Sequence, residues 1–135
     1  MGRVRLRLST AEDTIAFGKK MASMLPKNAV VALSGDLGAG KTTFVQGLAL
    51  GLGIKEPIQS PTFVLLNLYK GLYHFDLYRL KGVADFTSLG FEEYFQKDGI
   101  CVIEWPDRIA KILPPGTVHI EFIYEQEQRI AVIKS

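Results

Sequence analysis

The sequence has little of several features that would place a protein in a class at once. Cysteine occurs once, as Cys101 in the apolar run "ICVIEW", so no disulfide can form within the chain and a buried, unreactive thiol is expected. Sixteen basic against fourteen acidic residues leave a net charge of +2, which is too small to indicate general binding to nucleic acids or membranes. No uninterrupted apolar run approaches the length that crosses a bilayer.

The N-terminus also lacks the pattern of a secretion signal. The segment "MGRVRLRLS" alternates arginine with valine or leucine, whereas a signal peptide has a continuous apolar segment after its basic start. The protein is therefore expected to be soluble and cytoplasmic. With 135 residues, 47% of them hydrophobic, residues 1–135 are expected to form a single domain.

What the chain does have is an alternation of strand and helix patterns. Residues 4–8 alternate apolar and basic side chains, as in a half-buried strand. Ser9 and Glu12 have capping-box spacing at the start of a helix that ends at Pro26. The segment "AVVALSG" predicts a buried strand, and a further helix is predicted from Phe44 to Leu52.

The second half of the sequence adds strands and two short helices. The segments "TFVLLNLY" and "LYHFDLY" are separated by Lys70 and Gly71, which predicts a hairpin. "SLGFEEYF" predicts a short helix, "GICVIEW" a buried strand, and "PDRIAKIL" a helix that begins at Pro106. Two more strands, "TVHIEFIY" and "QRIAVIK", follow. Together these patterns predict an α/β fold with a mixed parallel and antiparallel sheet and helices on its faces.

A glycine-rich loop joins the "AVVALSG" strand to the next helix. Residues 35–42, "GDLGAGKT", match the pattern G-x-x-x-x-G-K-[ST] in full, after a strand and before a helix. Backbone N–H groups of such a loop surround phosphate oxygens, Lys41 would neutralise the β- and γ-phosphates, and the Thr42 hydroxyl would ligate Mg²⁺. The residues predicted to bind nucleotide are Gly38, Ala39, Gly40, Lys41, Thr42 and Thr43. We therefore expect a P-loop NTPase-like domain, with a plain glycine-rich turn as the alternative.

Two acidic residues are candidates for the second acidic group that such a site needs. Glu104 ends the apolar run of residues 100–103 and Asp76 ends "LYHF", so both carboxylates would emerge where sheets of this class build their sites. The alternative for each is an acid that caps a helix or pairs with an arginine. The sequence has no Asn-Lys-x-Asp motif for guanine, which favours ATP. His74 and His119 have no spaced partner and are predicted to be structural.

Four motifs, in this order and spacing, resemble the TsaE family of small bacterial P-loop ATPases. They are "GDLGAGKTT" from Gly35, "SPTF" from Ser60, "HFDLYRL" from His74 and "EWPDR" from Glu104. The family is needed to make threonylcarbamoyladenosine at position 37 of transfer RNA. Four ordered motifs are far more specific than the glycine-rich loop alone.

The resemblance implies roles for individual residues. Lys41 and Thr42 would bind ATP and Mg²⁺, and Glu104 would be the second metal ligand. Asp76 would be a catalytic or nucleotide-coupling acid. Thr62 resembles a switch threonine that senses the γ-phosphate, and the alternative for it is an extended residue held by the neighbouring proline.

Three further positions bear on the resemblance. Thr10 would lie near the adenine of the nucleotide. Trp105 would be at or near a partner surface, with a buried core position as the alternative. Arg129, in the C-terminal hairpin, lacks the glycine-flanked setting expected of a nucleotide contact and is left out of the predicted site.

The resemblance also implies partners. The family hydrolyses ATP while bound to the TsaB and TsaD proteins, so we expect a Mg²⁺-dependent ATPase that is slow alone, is stimulated by partners and meets transfer RNA through their complex. A P-loop kinase for a small molecule or nucleotide is one alternative, although residues 87–116 contain only Arg108 where a kinase lid would be rich in arginine. A nucleotide-dependent switch that barely hydrolyses ATP is the other.

Overall fold

One mixed sheet organises the fold. The computed structural model describes residues 3–35, 40–61 and 65–134. The strands in these ranges are β1 (Arg3–Leu8), β2 (Val30–Gly35), β3 (Leu66–Tyr69), β4 (Leu72–Asp76), β5 (Ile100–Glu104), β6 (Val118–Glu125) and β7 (Gln128–Lys134). They form one sheet in the order β1-β7-β6-β2-β5-β4-β3. The four central strands β6, β2, β5 and β4 pair in parallel, and the outer strands join antiparallel. The predicted mixed sheet is confirmed.

Helices cover both faces of this sheet. One face packs against α1 (Ala11–Met24) and α2 (Lys41–Gly51), and the other packs against α3 (Val83–Ser88) and the 3₁₀ helices Phe91–Gln96 and Pro106–Ile112. Each face therefore buries its own apolar cluster, which is what a sheet with parallel central strands requires. No helix among the described residues is long and apolar enough to cross a membrane.

The first helix begins one residue later than the sequence pattern predicted. Thr10 is its N-cap, and its hydroxyl accepts a hydrogen bond from the Asp13 backbone N–H at 3.0 Å. The Asp13 carboxylate in turn accepts from the Thr10 backbone N–H at 3.2 Å. The predicted capping box of Ser9 and Glu12 is wrong, because Leu8 still pairs with β7 and the chain needs Ser9 to turn out of the strand.

Other predicted elements have different ends. The second helix starts at Lys41 rather than Phe44. The predicted helix "SLGFEEYF" begins at the last residue of α3, is interrupted at Gly90, whose φ is 76°, and continues as the 3₁₀ helix Phe91–Gln96. The helix from Pro106 is a kinked 3₁₀ helix with a non-helical Ile109. β1 is less buried than its alternation predicted, since it is an edge strand and Val4 is 53% exposed. The start of the predicted strand "TFVLLNLY" lies outside the described residues.

Cys101 is buried in β5, as predicted. Its thiol donates a hydrogen bond to the Tyr94 carbonyl oxygen at 3.3 Å. Burial raises the pKa of this thiol to about 12. A thiol that stays protonated at neutral pH is a poor nucleophile, so Cys101 serves as a small core residue.

Glycines allow α1 and α2 to pack closely. A Cβ on Gly18 of α1 would lie 2.5 Å from the Phe44 carbonyl oxygen and 2.6 Å from the Leu48 nitrogen in α2. A Cβ on Gly47 of α2 would collide with the Ile15 carbonyl oxygen and lie 2.8 Å from the Ile15 Cα atom. Because the obstacles are backbone atoms, no side-chain adjustment relieves these contacts. The close packing therefore fixes where α2, and hence its N-terminus, lies on the sheet.

We expect Gly47→Ala to destabilise the protein, although alanine is the better helix former. The propensity gain is about 1 kcal/mol, whereas overpacking that forces backbone shifts costs about 1–3 kcal/mol or more. Urea unfolding midpoints measure the balance. Gly82→Ala is the matched control, because Gly82 has an extended φ of 169° and a Cβ there meets nothing within 4 Å. A Gly47→Ala variant as stable as the wild type would show that the helices do not depend on this close approach.

Candidate active site

The ends of three parallel strands define one edge of the sheet. β2 ends at Gly35, β4 at Asp76 and β5 at Glu104. In the strand register, Asp76 lies opposite Glu104 and Leu33 lies opposite Glu104 on the other side. The two acids predicted from the sequence therefore stand on neighbouring strands, at the edge from which the glycine-rich loop leaves.

The N-terminus of α2 lies at the same edge. Its N-cap is Gly40, which has a left-handed φ of 113° and makes no side-chain capping hydrogen bond. The first intrahelical bond runs from the Phe44 N–H to the Gly40 carbonyl oxygen at 2.9 Å, so the N–H groups before it have no partner within the helix. A helix end of this kind is a site for an anion, particularly a phosphate.

Gly35, the first glycine of the motif, is required for a reason other than phosphate binding. Its φ is 128°, and a Cβ there would collide with the Phe122 carbonyl oxygen of β6. Glycine thus lets β2 run close beside β6 up to the point where the loop begins. The predicted binding residues Gly38 and Ala39 lie outside the described residues.

Lys41 lies largely buried at the start of α2. Its Nζ donates to the Gly35 carbonyl oxygen at 3.1 Å and is 5.3 Å from the ring centroid of Trp105. Only 8% of the residue is exposed, which distinguishes it from a solvated lysine in a surface turn. The backbone of the motif and the indole ring hold the ammonium group beside the cleft, where a phosphate would lie at the helix end.

Asp76 lies in a partly buried, acidic environment. Burial raises the pKa of its carboxyl group, and the nearby Glu104 raises it further, while the Tyr78 N–H, His74 and Lys41 oppose the rise. The Tyr78 N–H donates to Asp76 Oδ1 at 3.0 Å. The carboxyl group is therefore easier to protonate than a solvent-exposed aspartate, which suits a group that handles a proton or orients water.

Glu104 is held by a histidine that the sequence analysis treated as structural. His74 Nε2 lies 2.7 Å from Glu104 Oε2, and both side chains are almost fully buried. The two residues are diagonal neighbours on adjacent strands, since His74 is in register with Val102 and Asp76 with Glu104. A signal was available: His74 and Asp76 stand two apart in a strand and so share one face.

One cleft brings most of the predicted site together. Six predicted residues line it, namely Gly40, Lys41, Thr42, Thr43, Asp76 and Glu104. Ala11, Thr14, Ser60, Trp105 and Arg129 line it as well. Thr62 lies outside the described residues. Thr10 does not line the cleft, because its hydroxyl caps α1, but its neighbour Ala11 does.

Two of these lining residues bear on earlier expectations. Arg129, which the sequence analysis left out, reaches the cleft because β7 pairs with β1 at Leu8, next to the start of α1. Trp105 is not a core residue: it is 36% exposed, with its ring 5.0 Å from that of Tyr78 and 5.3 Å from the guanidinium of Arg108.

Comparison with known proteins gives the family. The family model described as "Threonylcarbamoyl adenosine biosynthesis protein TsaE" matches residues 8–131. The chain belongs to the TsaE family. The tRNA threonylcarbamoyladenosine biosynthesis protein TsaE of Treponema pallidum is 51% identical over 114 residues, which cover 82% of this chain and 84% of that protein. The Bacillus subtilis protein of the same name is 40% identical over 124 residues, covering 89% and 77% of the two chains.

A solved structure has the same fold as this chain. The crystal structure of Bacillus subtilis YdiB aligns with a TM-score of 0.83 at 34% identity and covers 98% of this chain and 84% of that one. That protein thus shares the mixed α/β sheet seen here. The motifs that resemble the family and begin at Gly35, His74 and Glu104 start on β2, β4 and β5, and each of the four motifs contributes at least one residue to the lining of the cleft.

The cleft suits a magnesium ion that comes with a nucleotide. Among residues 3–35, 40–61 and 65–134, no group of three or more His, Cys, Asp or Glu side chains is arranged to hold a metal alone. Mg²⁺ is commonly bound by one or two protein oxygens together with phosphates and water. The Thr42 hydroxyl and the Glu104 carboxylate, which line the same cleft, are of this type.

Asp76→Asn is expected to stabilise the TsaE fold at neutral pH. Because the folded-state pKa of Asp76 is raised, the stability this group contributes is present at low pH and is lost as pH rises through that pKa. Asparagine keeps the acceptor for the Tyr78 N–H and carries no charge. The measurement is the urea midpoint between about pH 4 and pH 8 without nucleotide and with a metal chelator.

The advantage of Asp76→Asn should shrink as the pH falls towards about 4, where the free aspartate itself becomes protonated. Asp98→Asn, at an exposed aspartate away from the cleft, is the control for a simple change of net charge. A variant less stable than wild type at neutral pH, or an advantage that grows on acidification, contradicts the reasoning.

Proposed function

We propose that this TsaE-family chain is the ATP-binding and ATP-hydrolysing component of the threonylcarbamoyladenosine machinery, acting with TsaB and TsaD. One observation carries the proposal: the start of α2 with Lys41 faces two acids, Asp76 and Glu104, across a single cleft. A helix N-terminus and a lysine suit a triphosphate, and strand-end acids suit a metal and a water molecule. The nucleotide would be ATP, and ADP would leave the cleft after hydrolysis.

Each residue has a separate task in this proposal. The loop with Gly38, Ala39 and Gly40, together with the N-terminus of α2, binds the phosphates, and Thr43 reaches an inner phosphate. When the nucleotide binds, the Lys41 ammonium group gives up its hydrogen bond to the Gly35 carbonyl oxygen and contacts the β- and γ-phosphates instead. Its ammonium charge there opposes the negative charge that develops on the phosphoryl oxygens.

The metal and the acids complete the arrangement. Thr42 and Glu104 would hold Mg²⁺, which when bound neutralises charge on the β- and γ-phosphate oxygens. Asp76 has one of two roles. It orients the water that attacks the γ-phosphorus, or it links that attack to the position of the switch residue Thr62. The products are ADP and phosphate.

The cleft offers a surface for the proposed partners. Trp105 and Tyr78 form an exposed aromatic pair beside Lys41, and Tyr78 is 57% exposed. Aromatic residues of this kind are frequent energetic centres of protein interfaces. We place the contact with the TsaB and TsaD complex here, in the cytoplasm, and transfer RNA is reached through that complex.

Arg108 counts against the kinase alternative. Its guanidinium donates to Asp107 at 2.9 Å and to the Tyr78 carbonyl oxygen at 3.3 Å and lies over Trp105. These contacts hold the Arg108 side chain against the aromatic pair of Tyr78 and Trp105. A kinase lid needs arginines that are free to close over phosphates.

Lys41→Ala is expected to abolish ATP hydrolysis. The loss of a charge aimed at the transferring phosphoryl group removes about 3–4 kcal/mol of transition-state stabilisation, or 10²–10³ in rate. The loss of one charged hydrogen bond, to the Gly35 carbonyl oxygen, costs about 1–3 kcal/mol of folding stability, so the variant should still fold. Phosphate release and circular dichroism measure the two effects.

Lys70→Ala provides the control for Lys41→Ala. Lys70 is an exposed lysine in the β3-β4 turn, at the opposite edge of the sheet. Normal hydrolysis by the Lys41 variant would remove the loop from the proposed function.

The partner contact is tested by adding the TsaB and TsaD complex. The isolated protein should hydrolyse ATP slowly, because Arg108 is engaged with Asp107 and the Tyr78 carbonyl oxygen and P-loop enzymes without an arginine at the γ-phosphate lose about 10³–10⁵ in rate. The complex should raise the rate, and Trp105→Ala should weaken complex binding by about 2 kcal/mol, roughly thirty-fold in the concentration for half-maximal stimulation.

Leu50→Ala is the matched control for the contact, because Leu50 is 52% exposed at the far end of α2. Phosphate release is measured over a range of complex concentrations for wild type and both variants. Fast hydrolysis without the complex, and no response to it, would favour the kinase.

A further inference from the structure

His74 occupies a position where an aliphatic side chain is expected. It is fully buried in β4 and, by strand alternation, faces the same side as Leu72, which packs in the apolar core beneath α1 and α2. Its Nδ1 is buried without a hydrogen-bond partner among the described residues. A buried polar group that is only half satisfied costs stability relative to an apolar residue, so its presence needs an explanation.

The contact that His74 does make is with Glu104. His74 Nε2 lies 2.7 Å from Glu104 Oε2. Within the described part of the chain, this contact is the hydrogen bond that the Glu104 side chain makes. An ionised carboxylate can only accept, so Nε2 must carry the proton. A proton on Nδ1 instead would leave a buried donor unsatisfied, which makes the Nε2–H tautomer the more stable arrangement.

We infer that His74 is a positioning residue that sets the orientation of the Glu104 carboxylate for the metal. The inference rests on the proposed function, in which Glu104 is a ligand of Mg²⁺. Holding Oε2 from the core side fixes the carboxylate plane and leaves Oε1 for the cleft that Glu104 lines. A ligand fixed in advance loses less rotational freedom when it binds, and removing such a supporting hydrogen bond typically weakens metal binding by about 10–100-fold.

Two variants separate positioning from packing. In His74→Gln, the amide Nε2 is as many bonds from Cα as the imidazole Nε2, so it can still donate to Glu104. In His74→Asn, the amide nitrogen is one bond closer to the backbone and cannot reach. Both substitutions keep a polar, uncharged side chain in the same place.

The measurement is the affinity for a fluorescent ATP analogue that is not hydrolysed, over a series of Mg²⁺ concentrations and with a chelator. We expect His74→Asn to raise the Mg²⁺ concentration for half-maximal binding by about 10–100-fold. His74→Gln should restore most of the loss, and affinity in the chelator should be the same in all three proteins. Equal effects of the two substitutions, or an equal loss in the chelator, would overturn the inference.

A measurement on the wild type does not depend on whether the variants fold. Nitrogen-15 NMR of the imidazole should show a proton on His74 Nε2. A proton on Nδ1 alone would overturn the inference, because the two atoms facing each other would then both be acceptors.

Failure of the inference is distinguishable from failure of the proposed function. If nucleotide binding by the wild type and by Glu104→Gln responds equally to Mg²⁺, Glu104 is not a metal ligand and both fail. If Glu104→Gln loses the Mg²⁺ response while His74→Asn keeps it, only the role of His74 fails.

Discussion

The in-register parallel pairing of β2, β5 and β4 is the constraint on which the cleft depends. It places Asp76 opposite Glu104 and brings both beside the end of β2. A slip of one residue would turn either carboxylate to the other face of the sheet. The pairing of β4 with β5 therefore sets the distance between the two acids, and neither acid can shift along its strand without the other. Their mutual repulsion, which contributes to the raised pKa of Asp76, follows from the same register.

Burying charged and polar side chains at the edge that carries the site costs free energy, and the rest of the fold offsets that cost. Lys41, His74 and Glu104 are all buried, although charged and polar groups lose hydration on burial. Two apolar clusters, one on each face, bury the aliphatic and aromatic side chains that supply the opposing free energy. The close α1-α2 packing adds a steric limit, since there is no room for a side chain between the two backbones at Gly18 and Gly47. A rigid apolar core thus supports a polar edge, which is the usual arrangement of functional sites.

The sequence predicts the site better where a residue's role is local than where it depends on distant pairing. The glycine-rich loop and the strand-end position of Glu104 follow from adjacent residues. The contact between His74 and Glu104 joins residues 30 positions apart, and it follows only from how β4 and β5 pair. Arg129 reaches the cleft for a similar reason, through the pairing of β7 with β1. The helix cap was misplaced because two residue pairs with identical spacing compete there, and only the end of β1 decides between them.

Trp105 follows Glu104 directly and adopts a left-handed backbone with φ of 60°, which turns its indole back over Lys41. It is the only tryptophan in the chain. Indole emission shifts with the charge and water around the ring, so the tryptophan emission of this protein arises at the cleft and nowhere else. Excitation energy from the adjacent Tyr78 reaches the same ring. The molecule thus contains an optical reporter for the state of its own Lys41, readable without any label.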